Sequence, residues 1–113
     1  FYPGLESHAQ HQRAADLFHN FGAIVSIDLI QGIDCFEVLN AMETVISSSN
    51  LGDTRTLAIP VAHTICYEMG AARRASMGIS DSMIRFSVVA VSLQKKLDDF
   101  SRALDQALTL KSA

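Results

Sequence analysis

The sequence has 113 residues and a formal net charge of −3, with 49% hydrophobic and 19% charged residues. This length allows one domain with a modest core, and the composition is that of a globular protein, too apolar for a disordered chain. No apolar run approaches the roughly 20 residues that cross a bilayer. The arginines are scattered, so we expect neither membrane nor nucleic acid as a partner.

The chain opens on Phe1-Tyr2-Pro3-Gly4, without an initiator methionine or a secretory signal. Proline pushes its predecessor out of the helical region, so the opening is expected to be extended and to run into a turn. We interpret the chain as part of a longer polypeptide, with a truncation made for expression or a proteolytic product as alternatives. Cys35 and Cys66 match no metal or redox spacing, and we interpret both as reduced core residues of a cytoplasmic protein.

The first third of the sequence predicts a helix and then a strand. Ser7 can cap a helix over residues 7–18, with Ala14, Leu17 and Phe18 on its apolar face. Residues 21–23 break the pattern, and the apolar positions of residues 24–29 favour a strand with at least one buried face.

The middle of the sequence predicts two helices and two strands. Asp34 with Glu37 forms a capping box for a second helix, and its apolar side is made by Cys35, Val38, Leu39, Met42 and Val45. A strand is expected at residues 44–49, and a turn at 50–53. Asp53 can then cap a short helix over residues 54–58, which Pro60 stops. Residues 61–66 are a weaker candidate for a third strand.

The last third predicts a helix, a central strand and a long amphipathic helix. Residues 71–77 favour a helix ended by Gly78, and residues 83–91 are β-branched and apolar, typical of a central strand. Ser92 can cap the last helix. The apolar positions of this helix recur at helical spacing: Leu93, Leu97, Phe100, Leu104 and Leu108. Its polar face is expected to carry Lys95, Lys96, Asp99, Arg102 and Gln106. Together these elements predict an α+β fold, a small sheet of about four strands with helices covering one face.

Four segments, in order, resemble a known family. Residues 2–11 (Tyr-Pro-Gly-Leu-Glu-Ser-His-Ala-Gln-His) match its Tyr-Pro-Gly-Leu-x-Ser-His-Pro-x-His segment, and residues 21–26 (Phe-Gly-Ala-Ile-Val-Ser) its Phe-Gly-Gly-x-x-Ser strand. Residues 50–57 (Asn-Leu-Gly-Asp-Thr-Arg-Thr-Leu) are close to its signature loop. Residues 78–88 (Gly-Ile-Ser-Asp-Ser-Met-Ile-Arg-Phe-Ser-Val) match Gly-Ile-Ser-Asp-x-Leu-Ile-Arg-x-Ser-Val. The chain therefore resembles the C-terminal part of the Cys/Met-metabolism, pyridoxal-phosphate-dependent enzymes of trans-sulfuration.

The resemblance implies a C-terminal substrate-binding domain over residues 1–113, with the large domain that binds pyridoxal 5′-phosphate lying upstream. It implies lyase or transferase chemistry, γ-elimination or γ-replacement, on homoserine ester, cystathionine or methionine type substrates. It further implies a homotetramer. Independently, the apolar side chains of residues 24–29 and of the helix after Asp34 exceed what a small sheet can bury, so we expect this chain to form a homo-oligomer. One departure is clear: residues 89–92 are Val-Ala-Val-Ser where the family usually has Gly-Ile-Glu-Asp. We expect the fold to survive this change. We expect the turn before the last helix, and with it the direction of the Arg85 side chain, to be altered.

Arg85 is the strongest candidate for a binding residue, because it is a charge inside an apolar run. A buried guanidinium needs an anion, and its planar fork of donors suits a carboxylate. The resemblance implies that Arg85 holds the α-carboxylate of the amino acid substrate. A structural ion pair with an internal Asp or Glu is the alternative.

The resemblance adds four residues to this predicted substrate site: Ser49, Asn50, Leu51 and Thr64. From the residues alone, Ser49, Asn50 and Leu51 are a polar turn with short side chains and free N–H groups. In the family, the position that Ser49 matches varies between glutamate and uncharged residues and contributes to the choice of reaction. The resemblance therefore implies that this small, neutral serine favours γ-elimination or sulfhydrylation. His8 and His11 lack a third metal ligand, so we interpret them as surface residues.

No lysine lies where the cofactor chemistry requires one. The first lysine is Lys95, and all three lysines fall on or near the last helix. A lysine amine must hold pyridoxal phosphate, so we expect this chain alone to be inactive and to contain no cofactor-binding or catalytic residue. The alternative hypothesis is a stand-alone α+β module that binds an amino acid, or dimerises, without catalysis.

Overall fold

The computed structural model describes residues 1–112 and shows an α+β domain built on one four-stranded sheet. The strands are β1 (Ile24–Asp28), β2 (Ile46–Ser47), β3 (Leu57–Pro60) and β4 (Met83–Ser87). Their order is β1-β4-β3-β2, with β4 antiparallel to β1 and β3, and β2 parallel to β3. The helices are α1 (His11–Leu17), α2 (Cys35–Ala41), α3 (Ala71–Ser76) and α4 (Leu93–Ser112). The predicted fold class is confirmed.

The two faces of the sheet have different neighbours. Side chains alternate along a strand, so Ile84 and Phe86 of β4 point to one face and Met83 and Arg85 to the other. Ile84 and Phe86 belong to the main core, which they share with buried residues of α2 and α4. Met83 belongs to a smaller cluster on the opposite face. Arg85 therefore projects from the face that α2 and α4 leave uncovered.

The buried face of helix α4 matches the predicted one only in part: Phe100 and Leu104 pack against the main core as predicted. Its buried residues are Asp99, Ala103 and Ala107, spaced four apart. Two alanines on this line let α2 approach closely, which the longer leucines would prevent. Leu93 and Leu97 are instead 45% and 50% exposed. The placement of Asp99 on a solvated face was therefore wrong.

The first helix begins later than predicted. Leu5 N–H donates to the Tyr2 carbonyl over 3.1 Å, and His8 N–H to the Leu5 carbonyl over 2.9 Å, so consecutive turns occupy the segment that Ser7 was expected to cap. The turns pack on the break after α1, where the His11 ring stacks on Phe21 at 5.2 Å.

The predicted apolar face of α1 is wrong at its C-terminal end. Leu17 and Phe18 are exposed, whereas Ala14 is buried. The packing of residues 1–11 on Phe21 and Gly22 supplies the contacts that those two side chains were expected to make.

Residues 53–66 depart most from the prediction. The expected helix over residues 54–58 and the expected strand over 61–66 are both wrong, since β3 runs from Leu57 to Pro60 and a 3₁₀ turn follows at Val61–His63. Asp53 accepts a hydrogen bond from Arg55 N–H at 2.9 Å, which makes a tight turn instead of a helix start. The four residues of β3 are buried between β4 and β2, and this burial overrides the capping signal.

The remaining elements follow the prediction with shorter bounds. Asp34 caps α2 by accepting from Phe36 N–H at 2.8 Å, although α2 ends at Ala41. Gly78, with a φ of +73°, follows α3 as expected. β4 is central, and β2 has two residues where six were predicted. No helix among residues 1–112 combines the length and the apolarity that a bilayer span requires.

Candidate functional site

Arg85 lies in the middle of the central strand, on the uncovered face of the sheet. Its backbone is fixed on both sides, by pairing with Ser26 of β1 and with Ile59 of β3. Its Nη2 donates a hydrogen bond of 3.0 Å to the Ser49 carbonyl. Its Nε is buried and has no partner among residues 1–112. The guanidinium is therefore held through its Nη2 group, whereas its Nε–H group has no acceptor among residues 1–112.

No carboxylate of the described chain neutralises Arg85. Within residues 1–112, no Asp or Glu oxygen lies within the 4.0 Å that defines an ion pair with this guanidinium. The acidic residue of the β2–β3 segment, Asp53, is paired with Arg55 at 3.0 Å. The side-chain hydrogen bond from Arg55 is the main reason that the pKa of Asp53 falls to about 2. The structural ion pair considered as the alternative for Arg85 is absent from this part of the chain.

The loop of residues 49–52, which we call the Ser49 loop, lies over the strand that carries Arg85. Its first residue accepts from Arg85, and Gly52 N–H donates to the Ser87 hydroxyl at 3.2 Å. Between these points Asn50 N–H donates to the Ser48 hydroxyl at 3.2 Å, while Leu51 is 56% exposed. Gly52 has a φ of +68°, a conformation that residues with a Cβ rarely adopt.

A cleft of ≈ 340 Å³ adjoins the Ser49 loop. Ser49 and Thr64 line it together with Ile59 and Phe36, so two predicted site residues meet there. The Thr64 hydroxyl donates to the Pro60 carbonyl at 2.7 Å and is thus engaged with its own backbone. The structure brings Arg85 and Ser49 into direct contact, places Thr64 across the cleft, and leaves Asn50 and Leu51 on the exposed rim.

Sequence reasoning gave no role to Ser87, although this residue anchors the Ser49 loop. Ser87 is 5% exposed and points to the same face of the sheet as Arg85. A spacing of two in a predicted strand was the signal that could have found it. Its partner, a glycine N–H, could not be identified from residue types.

The described residues do not fit pyridoxal phosphate. All three lysines are in α4, on the other side of the sheet from Arg85. Lys96 Nζ donates to the carbonyls of Val89 and Val91, and Lys111 Nζ to that of Gln31, at 2.7–2.8 Å. Among residues 1–112 there is also no group of three His, Cys, Asp or Glu side chains that could hold a metal.

Solved structures share this fold closely. A cystathionine gamma synthase from Xanthomonas oryzae pv. oryzae, in complex with cystathionine, has a TM-score of 0.89 at 29% identity and covers 96% of this chain. A cystathionine gamma lyase from Micromonospora echinospora has a TM-score of 0.86 at 34% identity over 92% of this chain. The chain covers 28% and 27% of those two structures. The chain thus has the fold of one part of these two cystathionine enzymes.

The family model of the Cys/Met metabolism PLP-dependent enzymes matches residues 1–108. The chain belongs to this family, and pyridoxal phosphate is the cofactor of the family. An O-succinylhomoserine sulfhydrylase of Pseudomonas aeruginosa is 37% identical over 105 residues, which are 92% of this chain and 26% of that protein. A homocysteine synthase of Schizosaccharomyces pombe is 33% identical over 108 residues, 94% of this chain and 25% of that protein. The chain thus spans about a quarter of the length of the curated relatives it matches.

Proposed function

We propose that this chain is the C-terminal, substrate-binding domain of a pyridoxal-phosphate-dependent enzyme and that Arg85 binds the α-carboxylate of the amino acid substrate. The observation that carries the proposal is the buried Arg85 Nε, which has no hydrogen-bond partner and no acidic neighbour among residues 1–112. A buried polar group left without a partner costs about 1–3 kcal/mol, and more when it is charged. A carboxylate ligand removes that cost.

The contact with Ser49 supports the same proposal. The carbonyl is a neutral acceptor, so it fixes the direction of the guanidinium without neutralising its charge. A planar guanidinium with donors left over offers two parallel hydrogen bonds to a carboxylate, which a lysine ammonium cannot match. The Leu51 N–H has no acceptor among residues 1–112 and is available as a further donor at the loop rim.

The chemistry itself belongs elsewhere in this proposal. Pyridoxal phosphate, when bound, supplies the electron sink for reactions at the amino acid carbons. Because residues 1–112 do not fit it, we place the cofactor and its lysine in another part of a longer polypeptide. This domain binds and orients the substrate by its carboxylate, which positions the reacting carbons.

The reaction class that we propose is γ-elimination or sulfhydrylation. The small, neutral side chain of Ser49 supports it, since the adjoining cleft carries no charged residue that would pair with a distal amino acid. The family resemblance alone supports one further part of the proposal, a homotetrameric assembly. The free thiols of Cys35 and Cys66 support a cytoplasmic location.

The test of this proposal is the substitution of Arg85 in the full-length protein that contains this chain. Arg85→Ala is expected to raise KM for the amino acid and to lower kcat/KM by about two to three orders of magnitude. A charge-assisted pair in a shielded site is worth roughly 3–4 kcal/mol, and each 1.4 kcal/mol is tenfold. Arg85→Lys should restore part of the loss, and cofactor content, read from absorbance, should stay constant.

Arg55→Ala is the matched control, because Arg55 is an exposed arginine of the same region that already has a carboxylate partner. We expect its KM to stay within about twofold of the parent value. A folded Arg85→Ala variant with normal KM would contradict the proposal, and the carboxylate would then have to be bound elsewhere.

A further inference from the structure

We propose that Ser87 is a positioning residue of the carboxylate site, acting through the Ser49 loop on Arg85. The inference deepens the function proposed above and rests on it. Ser87 is buried, and the one hydrogen bond recorded for its hydroxyl among residues 1–112 is accepted from Gly52 N–H at 3.2 Å. A buried hydroxyl that holds a loop next to a candidate binding arginine has a place in the site as well as in the core.

The geometry of β4 explains how one strand fixes the whole loop. Arg85 and Ser87 are two residues apart on the same face, which separates their Cα atoms by about 7 Å. Arg85 holds the start of the loop through the Ser49 carbonyl, and Ser87 holds its end through Gly52. The loop is thus attached at two points of a central strand whose neighbours on both sides keep it rigid.

The loop in turn determines the direction of the Arg85 side chain. The Ser49 carbonyl is the hydrogen-bond partner of the Arg85 side chain among residues 1–112, so the position of that carbonyl determines where the guanidinium points. Asn50 N–H is turned back to Ser48, and Leu51 is exposed, so neither ties the far end of the loop to the sheet. Removing the Ser87 hydroxyl releases that far end and leaves Arg85 attached to a mobile acceptor.

A residue that positions Arg85 can be distinguished from one that only stabilises the fold by the ligands whose affinity changes when the residue is substituted. A loosened guanidinium loses affinity for a carboxylate, whereas an uncharged carboxamide at the same place depends less on its direction. Ser87→Ala should therefore lower the preference for an amino acid over its carboxamide. A merely structural serine would change the amount of folded protein and leave this preference unaltered.

The experiment compares substitutions in the full-length protein that contains this chain. For Ser87→Ala we expect KM for the amino acid to rise about three- to tenfold with kcat within about twofold, the range expected for the loss of one buried hydrogen bond. The ratio of inhibition constants between a substrate analogue with an α-carboxylate and its α-carboxamide should shrink by a similar factor. Ser87→Thr keeps the hydroxyl and should restore both values.

Thr56→Ala is the matched control. Thr56 is 2% exposed, and its hydroxyl accepts from Val89 N–H at 3.0 Å, so the variant loses the same kind of hydrogen bond outside the Ser49 loop. Its KM and its inhibition ratio should equal those of the parent.

Two results would overturn the inference: parental KM and inhibition ratio in a folded Ser87→Ala variant, or equal changes in Ser87→Ala and Thr56→Ala. Arg85→Ala separates this failure from failure of the proposed function. If Arg85→Ala raises KM and Ser87→Ala does not, the positioning role alone is wrong. If Arg85→Ala has no effect, the carboxylate site itself is wrong.

Discussion

Ser92 has a φ of +57° and is the non-glycine residue with positive φ among residues 1–112. Its predicted role as a side-chain cap of α4 is wrong, because its hydroxyl makes no hydrogen bond within the described chain, although its carbonyl accepts from Lys96 N–H. The ammonium of Lys96 holds the turn instead, through the carbonyls of Val89 and Val91. The alteration expected in this turn is thus the positive φ of Ser92. Val89, which stands where the family usually has glycine, does not have a positive φ.

Ser92→Gly is expected to raise the free energy of unfolding of the chain by about 0.5–1 kcal/mol. Glycine relieves a left-handed conformation that costs other residues about 1–2 kcal/mol, and loses part of that gain through the flexibility of the unfolded chain. Urea denaturation measures the change. Ser101→Gly, the same substitution at an exposed helical position of α4, should lower the free energy by about 0.5 kcal/mol. The prediction fails if both variants change in the same direction.

The residues of the candidate site were predictable from sequence to different degrees. Arg85 was identified because a charge inside an apolar run is conspicuous. Its contact with the Ser49 carbonyl could not be predicted, because every residue carries a carbonyl and only the fold selects one. Asp99, which lies outside the candidate site, was placed on a solvated face by helical periodicity. Its hydrogen-bond partners, Glu43 and Thr44, lie about 55 positions earlier in the chain.

At the level of elements, Asp99 joins the N-terminal half of α4 to the turn between α2 and β2. Its carboxylate accepts from the N–H groups of Glu43 and Thr44 at 2.7–3.0 Å, and it pairs with Arg102 at 2.7 Å. Burial would raise the pKa of Asp99, but the hydrogen bonds from Glu43, Thr44 and Arg102 together lower it well below its ordinary value. The carboxylate is therefore charged in the folded chain and fixes the point at which β2 begins.

Asp99→Asn is expected to lower the free energy of unfolding by about 2–4 kcal/mol at pH 7, since the side chain is 4% exposed and the donors of Glu43 and Thr44 lose a charged acceptor. A carboxylate whose pKa is lower in the folded chain than in the unfolded chain stabilises the fold at pH values above its unfolded pKa, which is near 3.9. This stabilisation is lost progressively as the pH falls below the unfolded pKa and towards the folded one. The gap between parent and variant should therefore shrink by about 1 kcal/mol between pH 7 and pH 3.

Asp98→Asn is the control for this pH dependence, because Asp98 is the adjacent, exposed carboxylate on α4. Its free energy of unfolding should stay within about 0.5 kcal/mol of the parent at every pH. A pH-independent gap between the parent and Asp99→Asn would show that shape, and not charge, determines the contribution of Asp99.

The elements of the fold were predicted where local signals and burial agree, as in α2, α3 and β4. They were missed in residues 53–66, where Asp53 and Pro60 carry the marks of a short helix. Burial between two strands decides that segment, and pairing with β4, some 27 residues later in the chain, leaves no local signal.

At the scale of the whole molecule, the sheet separates the proposed binding site from the lysines. Arg85 and the Ser49 loop lie on one face, while α4, which carries every lysine of the chain, packs on the other. No movement of a side chain can bring Lys95, Lys96 or Lys111 to a ligand held at Arg85, because the sheet lies between them. This separation supports the proposed role of the domain in substrate binding and the proposed place of the cofactor outside residues 1–112.

The chain of 113 residues alone is therefore expected to fold but to bind no pyridoxal phosphate through a lysine and to turn over no substrate. Lys96 and Lys111 already donate to backbone carbonyls, and Lys95 is exposed, so none offers the shielded amine that the cofactor requires. Titrating the chain with the cofactor and recording visible absorbance measures this, with Lys95→Arg, Lys96→Arg and Lys111→Arg as controls. A stoichiometric band that one of these substitutions abolishes would contradict the expectation.

The coding sequence upstream of Phe1 supplies the complementary observation: a lysine-bearing domain there supports the enzyme, and a start codon near Phe1 supports a binding module without catalysis.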